Sequence, residues 1–416
     1  MKIAVIGGGA SGQAAAISAA RAGAQVSIFE RNALLGKKIL LTGNGRCNLS
    51  NLRLDPSRYE GSAKKLAGAA LAHFSVKDTI RFFEDIGIPV IEAASARGDE
   101  SWLYPRVREA AAVRGALDMA CAEAGVGIML NTYISDIRKT EKGFCLFSED
   151  NSFFADRVIL AGGGCAAPKS GSDGSAYALA EKMGHHPVKP LPALGALCSS
   201  SEILGRISGQ RVIAQIRLVI DRKIRATESG EVQFTAYGLS GIPVFQMSAL
   251  AARALDENKK VSLVLDFCPE SGEKDVFAEL IRRRSLFGRQ ESGRLMTGLI
   301  PDKLIPPFLK LAGIPLHIPV KTIRDDSLKK LSCLLKELSF SINGSRGFED
   351  CQVSSGGIPA EEISETLESR ICPGLFFCGE IIDIDGPCGG YNLQWAWSSG
   401  FLAGAGAAKK GEEHAE

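Results

Sequence analysis

A short β-branched run, Lys2-Ile3-Ala4-Val5-Ile6, feeds without a linker into Gly7-Gly8-Gly9-Ala10-Ser11-Gly12, and no other junction constrains the fold as tightly. The run has the composition of a parallel strand buried on both faces. The alanine-rich segment from Gln13 to Ala22 reads as a helix, and Gln25-Val26-Ser27-Ile28-Phe29 reads as a second strand ending on Glu30, eighteen positions after Gly12. In the spacing Gly7-x-Gly9-x-x-Gly12 each glycine has its own mechanical reason. The first makes a tight turn, the second allows a side-chain-free approach to a pyrophosphate, and the third lets helix pack closely on strand. The helix N-terminus, with Ser11 in its first turn, offers free N–H groups and positive dipole to phosphates. Glu30, at the tip of the second strand, is placed to accept from a ribose hydroxyl. A glycine triad alone is weak evidence, because turns use glycine freely. With strand, helix and acid in register, the unit is read as a dinucleotide site.

At 416 residues the chain exceeds the roughly 250 to 300 beyond which single cores split, so two or three domains are expected. The 49 basic and 47 acidic residues leave a net charge of +2, which calls for no polyanionic partner. The 11 cysteines are scattered and form no C-x-x-C, which argues for reduced thiols and against a zinc or iron–sulfur site. Met1-Lys2 leads straight into the nucleotide strand and no apolar run reaches about 18 residues. The expectation is a cytoplasmic protein without a membrane segment, a metal or a nucleic-acid partner.

After Glu30-Arg31 comes a loop, 35–51, too rich in Gly and Asn for a helix and too apolar at its centre for a free linker. Lys37 and Lys38 are expected near phosphates, and Thr42-Gly43-Asn44-Gly45-Arg46-Cys47-Asn48 near a planar cofactor; a structural loop is the alternative. Helical spacing marks 64–72, 76–86 and 108–124, and 126–130 reads as a third parallel strand. A meander of three short runs then leads to Arg157-Val158-Ile159-Leu160-Ala161, which ends on Gly162-Gly163-Gly164. A helix over 175–183 is expected to be capped by Ser172 or Asp173, with His185 and His186 at its solvated exit. From the Pro187-Pro190-Pro192 region to about Gly344 the pattern is antiparallel, with helices near 274–285 and 327–337. The apolar stretches 238–245 and 299–316 suit either the wall of a large pocket or a plain core. Arg282-Arg283-Arg284 and Arg289 are read as a solvated helix face rather than an RNA footprint. The chain returns with a buried strand, Leu375-Phe376-Phe377, and a turn, Cys378-Gly379-Glu380. Gly389-Gly390-Tyr391-Asn392-Leu393 then opens a last helix reaching Ala408, whose alanine-rich face should lie beside the first helix. Three domain segments follow: 1–188 and 345–416 bind the cofactor, and 189–344 is inserted.

Three glycine turns at strand ends line one groove only if the strands are neighbours. Gly379-Glu380 would hold the ribityl or pyrophosphate part of an elongated dinucleotide, and the N–H groups at Gly389 to Leu393 would face the flavin edge where charge builds on reduction. That points to FAD. The wording of Gly7 to Gly12 with Glu30-Arg31, Thr42 to Asn48, Phe377 to Glu380, Asp385-Gly386 and Gly389 to Ala396 resembles the bacterial YhiN/BaiN-like flavoproteins over nearly the whole chain. The resemblance implies an α/β fold: a Rossmann-like FAD-binding domain of the glutathione reductase and fumarate reductase type, with an inserted β-barrel-like domain carrying a helical cap. It also implies tightly bound FAD and, for the reductase members, electrons from NAD(P)H. Ile134, Gly162, Gly163, Gly379, Glu380, Gly390, Tyr391, Asn392 and Leu393 complete the expected cofactor contacts. The family includes a reductase of 3-oxo-4,6-diene bile acids and a protein proposed to oxidise aminoacetone. A second G-x-G-x-x-G for NAD(P)H is missing, since Gly162-Gly163-Gly164 lacks the third spaced glycine.

Reduction of a conjugated enone needs hydride at the β-carbon, a proton at the α-carbon and a donor to the carbonyl. Arg46 and Tyr391 are the candidate donors, with a phosphate contact and a packing role as their alternatives; Cys47 and Cys388 read as packing residues. The leading expectation is an NAD(P)H-dependent ene-reductase of a bulky apolar ketone such as a steroid or bile acid. A flavin oxidase of a small amine and an RNA-associated flavoprotein are the competing readings.

Overall fold

The computed structural model describes residues 1–94 and 101–409, without the side chain of Ala94. The polar tail after Lys409 lies outside the described residues. The chain divides into two compact units, one formed by 1–192 with 348–416, the other by 193–347.

The first unit is built on five parallel strands: β1 (Lys2–Ile6), β2 (Gln25–Phe29), β3 (Gly127–Met129), β4 (Arg157–Leu160) and β5 (Leu375–Phe377). Their order is β5-β4-β1-β2-β3. The register aligns their carboxyl ends: Ile6 pairs with both Phe29 and Leu160, and Leu160 pairs with Phe377. Every turn that leaves these strands therefore starts from one row at one edge. The expected meander forms over Asp136–Thr140, Gly143–Phe147 and Ser152–Ala155.

Two alanine- and glycine-rich helices, α1 (Ala10–Arg21) and α2 (Tyr391–Ala408), pack on each other beside the sheet. A Cβ at Gly400 would come within 2.5 Å of the Ser11 carbonyl oxygen, and one at Gly404 within 2.3 Å of that of Ala15. The two backbones approach so closely only because these positions carry no side chain. Ser18 Oγ donates to the Phe401 carbonyl at 2.8 Å and fixes the same contact.

In the second unit seven antiparallel strands run in the order Leu338–Ile342, Val261–Asp266, Arg211–Ile220, Lys223–Thr235, Gly238–Ser240, Leu197–Cys198 and Gly344–Ser345. The first and last of these are consecutive in the chain, separated by Asn343, whose N–H donates to the Cys198 carbonyl at 3.0 Å. One segment thus pairs with both ends of the sheet and closes it into a barrel-like ring. Val212, Ala214, Ile216, Leu218 and Ile220 alternate inward along one strand, as the period of two requires. Helices Glu273–Leu286 and Asp325–Lys336 fall where the periodicity predicts them, whereas Ile242–Asp256 begins inside a stretch read only as apolar. Pro243 suits its first turn, where a missing N–H costs nothing. Among the described residues no helix is long and apolar enough to cross a membrane.

Candidate functional site

The row formed by Phe29, Ile6, Leu160 and Phe377 places Glu30, Gly7, Gly162 and Gly379 at one edge of the sheet. In the first turn the three glycines differ in kind. A Cβ at Gly12 would lie 1.9 Å from the Gly7 carbonyl oxygen, and one at Gly7 2.5 Å from that of Ala161, so both positions are forced by packing. A Cβ at Gly9 would meet nothing within 4 Å. Gly9 is also the N-cap of α1 and caps it with no side chain. This is an open cradle at a helix N-terminus, the geometry that takes a phosphate.

Glu30 is buried and held by the turn itself. Oε2 accepts from the Gly8 N–H at 2.8 Å, and Oε1 accepts from the Asn32 N–H at 2.8 Å and its Nδ2 at 2.7 Å. A carboxylate has about four acceptor sites, so one remains unfilled on Oε2. Arg31 pairs with Asp173 at 2.5 Å and lies over the Tyr133 ring, which ties the second strand's exit to the loop after the second glycine turn.

The third turn meets the first directly. Ser11 Oγ donates to the Cys378 carbonyl at 3.4 Å, and a Cβ at Gly379 would fall 2.3 Å from that Oγ. Ser399, on α2, accepts from the Gly379 N–H at 2.9 Å. Lys38 reaches across to Glu380, Nζ to Oε2 at 2.6 Å, with both side chains largely out of solvent. Lys37, which is exposed, donates to Asn32 at 3.3 Å. The other Glu380 oxygen accepts from the Ser354 N–H at 2.8 Å, and Ser354 Oγ accepts from the N–H groups of Cys165 and Ala166. Ser354 therefore couples the second turn to the third. Nothing local in the sequence marks it, because its partners lie 26 and about 190 positions away.

The loop 35–51 packs as expected, with two short 3-10 turns over Ile39–Gly45 joined across a kink at Thr42, Gly43 and Asn44. Gly43, Asn44, Gly45 and Cys47 all take positive φ, which leaves Arg46 exposed and turns Cys47 inward. With its amide turned to satisfy its neighbours, Asn48 accepts from the Gly390 N–H at 3.2 Å and donates to the Ser50 and Leu103 carbonyls. The loop is thereby stitched to the turn that opens α2. Thr42 Oγ1 donates to the Ile39 carbonyl at 2.7 Å, and Asn392 clamps Gly386 through both its amide groups.

Several expectations require correction. Tyr391 has no exposed surface; its hydroxyl accepts from the Asp55 N–H at 3.1 Å and its ring packs on Tyr59, so it presents no donor to a substrate. The side chains of Cys47 and Ile134 are likewise buried and offer a cofactor no surface. Burial pushes the Cys47 thiol up to about 12 against the hydrogen bond from Thr42, and it does the same to Cys378. Gly162 and Gly163 face Ala176 and Ser172 of the following segment rather than open space. The helix Ser175–Lys182 is capped by Gly174, although Asp173 still accepts from the Ser175 N–H. His185 is buried rather than solvated, Nδ1 at 2.7 Å from Glu362 and Nε2 at 2.8 Å from Ser369 Oγ. In the second unit Arg283 and Arg284 are tied to the carbonyls of Leu295, Thr297 and Ile323 rather than free. Of the two apolar stretches, 299–316 lines a cavity of about 670 Å³ together with Arg206, while Gly238–Ser240 is a sheet strand.

A parallel sheet whose strand ends carry an open glycine turn at a helix N-terminus, a buried acid and a second, ion-paired acid is a Rossmann-type FAD-binding fold. The HI0933-like protein Rossmann domain matches residues 1–406, and the chain belongs to that family. The resemblance to YhiN/BaiN-like proteins points to the same family. The chain is 40% identical over 412 residues to the 3-dehydro-bile acid delta(4,6)-reductase of Clostridium scindens, covering 98% of this chain and 99% of that one. It is 28% identical over 402 residues to the ribosomal RNA dihydrouridine synthase of Escherichia coli, covering 95% of each. Among solved structures, 3-ketosteroid delta1-dehydrogenase from Sterolibacterium denitrificans aligns over 98% of this chain and 99% of that one, at 12% identity and a TM-score of 0.53. That likeness is one of fold.

Proposed function

We propose that the protein binds FAD and reduces a carbon–carbon double bond conjugated to a carbonyl, in a bulky ketone of the bile-acid type, with electrons from NAD(P)H. The observation that carries this reading is the single row of strand ends from which the Gly9 cradle, Glu30, Gly379 and Glu380 all depart. The full-length similarity to a bile-acid reductase supports the substrate class.

Gly9 and the first turn of α1 would hold the pyrophosphate, Glu30 a ribose, Glu380 with Lys38 the ribityl side, and the N-terminus of α2 the pyrimidine edge of the ring. When bound there, the flavin supplies the hydride for the β-carbon. The protein's own contribution is placement and charge. Glu380, fixed from both sides by Lys38 and Ser354, keeps its position without help from a ligand. Arg46 is exposed on the loop tied to the start of α2 and is assigned to the substrate carbonyl, where its fixed charge meets the enolate as it forms. Of the two donors expected from the sequence, it is the one with a free surface.

A second reading takes its support from the relatives whose names give ribosomal RNA dihydrouridine synthesis. A uracil ring also presents a double bond conjugated to a carbonyl, so the reduction is of the same kind and the readings differ in what carries the ring. The internal ties of Arg283 and Arg284 weigh against that basic run as a phosphate-binding face.

The test is anaerobic. The purified yellow protein is reduced with NADH or NADPH, then mixed with a 3-oxo-4,6-diene bile acid or with unmodified ribosomal RNA. Flavin reoxidation by the diene, in the stopped-flow trace, is the expected result. Protein that binds no flavin, or reduced flavin that only oxygen reoxidises, overturns the reading.

A further inference from the structure

The buried ring of Tyr104 carries two cations. The guanidinium carbons of Arg46 and Arg108 each lie 6.0 Å from its centroid, so they are no more than twice that distance apart and one ligand can touch both. The loop holding Arg46 rests on this ring: a Cβ at Gly43 would be 3.4 Å from Tyr104 Cε1. Each arginine is presented by left-handed backbone. Asn44 and Cys47 flank Arg46 with φ of 58°, and Arg108 itself has φ of 54°. A non-glycine residue in that region costs about 1 kcal/mol or more, and such positions gather at functional sites. The Arg108 turn is closed by its N–H on the Pro105 carbonyl at 2.8 Å.

Both side chains are exposed, and among the described residues neither joins an ion pair. Glu109, next in the chain, makes none with Arg108 either. The two charges are felt where they converge: burial raises the Tyr104 hydroxyl pKa, and Arg46 and Arg108 each pull it back. With Arg46 serving the carbonyl, Arg108 is a second cation beside the same ring, and no acid among the described residues neutralises it. Val107, 52% exposed, stands next to it and offers apolar surface to whatever Arg108 binds.

We infer that Arg108 sets specificity by holding a carboxylate on the substrate, an anion carried on an apolar body. This rests on the enone reading and adds to it a requirement for a charged group away from the reacting double bond. A guanidinium matches a carboxylate with two parallel donors. A single-stranded RNA tract would call for an exposed aromatic platform, whereas the aromatic ring here is buried.

The experiment uses the flavin-loaded protein and reads the change in flavin absorbance on titration with a 3-oxo-4,6-diene bile acid, with its methyl ester, and with a ribosomal RNA fragment. The wild type should bind the acid more tightly than the ester. Arg108→Ala should weaken the acid by about tenfold or more, the scale of a lost charge-assisted hydrogen bond, and shift the ester less than about twofold. Arg108→Lys should recover part of the loss and excludes a folding defect as its cause. Equal loss for acid and ester, or a wild type that does not distinguish them, overturns the inference and leaves the enone reading in place. If neither steroid perturbs the flavin, the enone reading falls and takes this inference with it. Loss of RNA binding in Arg108→Ala, with the acid unaffected, overturns the carboxylate assignment.

Discussion

The first and third glycine turns leave the same edge of the sheet, but they are built differently. The first is local: strand, turn, helix and Glu30 lie within thirty residues, and the acid's three hydrogen bonds come from Gly8 and Asn32. The third is assembled partly from a distance: Ser354 and Ser399 lie 26 and 20 positions from Glu380 and Gly379, whereas Ser11 and Lys38 come from the other end of the chain. A turn whose partners are its own neighbours can be shaped before the domain closes. One that also needs Ser11 and Lys38, more than 340 positions away, takes its shape only when the whole unit is folded.

The largest contrast lies within the first turn. Gly12→Ala drives a Cβ into the Gly7 carbonyl, where backbone must move, and is expected to cost about 3 kcal/mol or more and to abolish flavin retention. Gly9→Ala adds its methyl to open space, so the melting temperature should hold while flavin affinity drops about tenfold, read by fluorescence titration of the apoprotein. If the two variants behave alike, the division between packing and cradle glycines is wrong.

Glu380→Gln probes the third turn. It leaves Lys38 without its counter-charge in a partly covered site, and a loss of about 1–3 kcal/mol in denaturant unfolding is expected, with weaker flavin binding. An unchanged protein would mean that the third turn is held by its backbone alone. Tyr391→Phe removes only the acceptor of the Asp55 N–H, so a loss of about 1 kcal/mol is expected with single-turnover rates within about twofold. A tenfold slower reoxidation would return Tyr391 to the chemistry.

The smallest effect is a pH dependence. Burial holds the His185 pKa down, against the hydrogen bond that its Nδ1 donates to Glu362, which raises it, so the folded protein keeps a neutral imidazole where the unfolded chain would take up a proton. The stability this contributes is complete above about pH 6.5, the ordinary imidazole value, and is lost as pH falls below it. Ser369 Oγ already accepts from the Ile371 and Cys372 N–H groups, which leaves it poorly placed to accept a third proton from a charged imidazole. His185→Asn should flatten the acid limb of the stability curve without changing flavin affinity at pH 8.

Much of the fold was legible in the sequence because short parallel strands, glycine turns and alanine-rich helices are encoded within windows of thirty residues. The strands at Lys2, Gln25, Arg157 and Leu375 and the helix at Tyr391 all fall where composition and spacing put them. The sequence alone also determined which residue types reach the sheet edge, since a strand's last residue fixes where its turn begins. Only the tertiary structure decided which of them face open space. Tyr391 and Arg46 read as equal candidates, yet packing against Tyr59 buried one and a run of left-handed residues left the other outside. Ser354, Ser399 and the arginine pair on Tyr104 were decided in the same way, because the partners of a side chain across a folded unit leave no periodic trace in either segment.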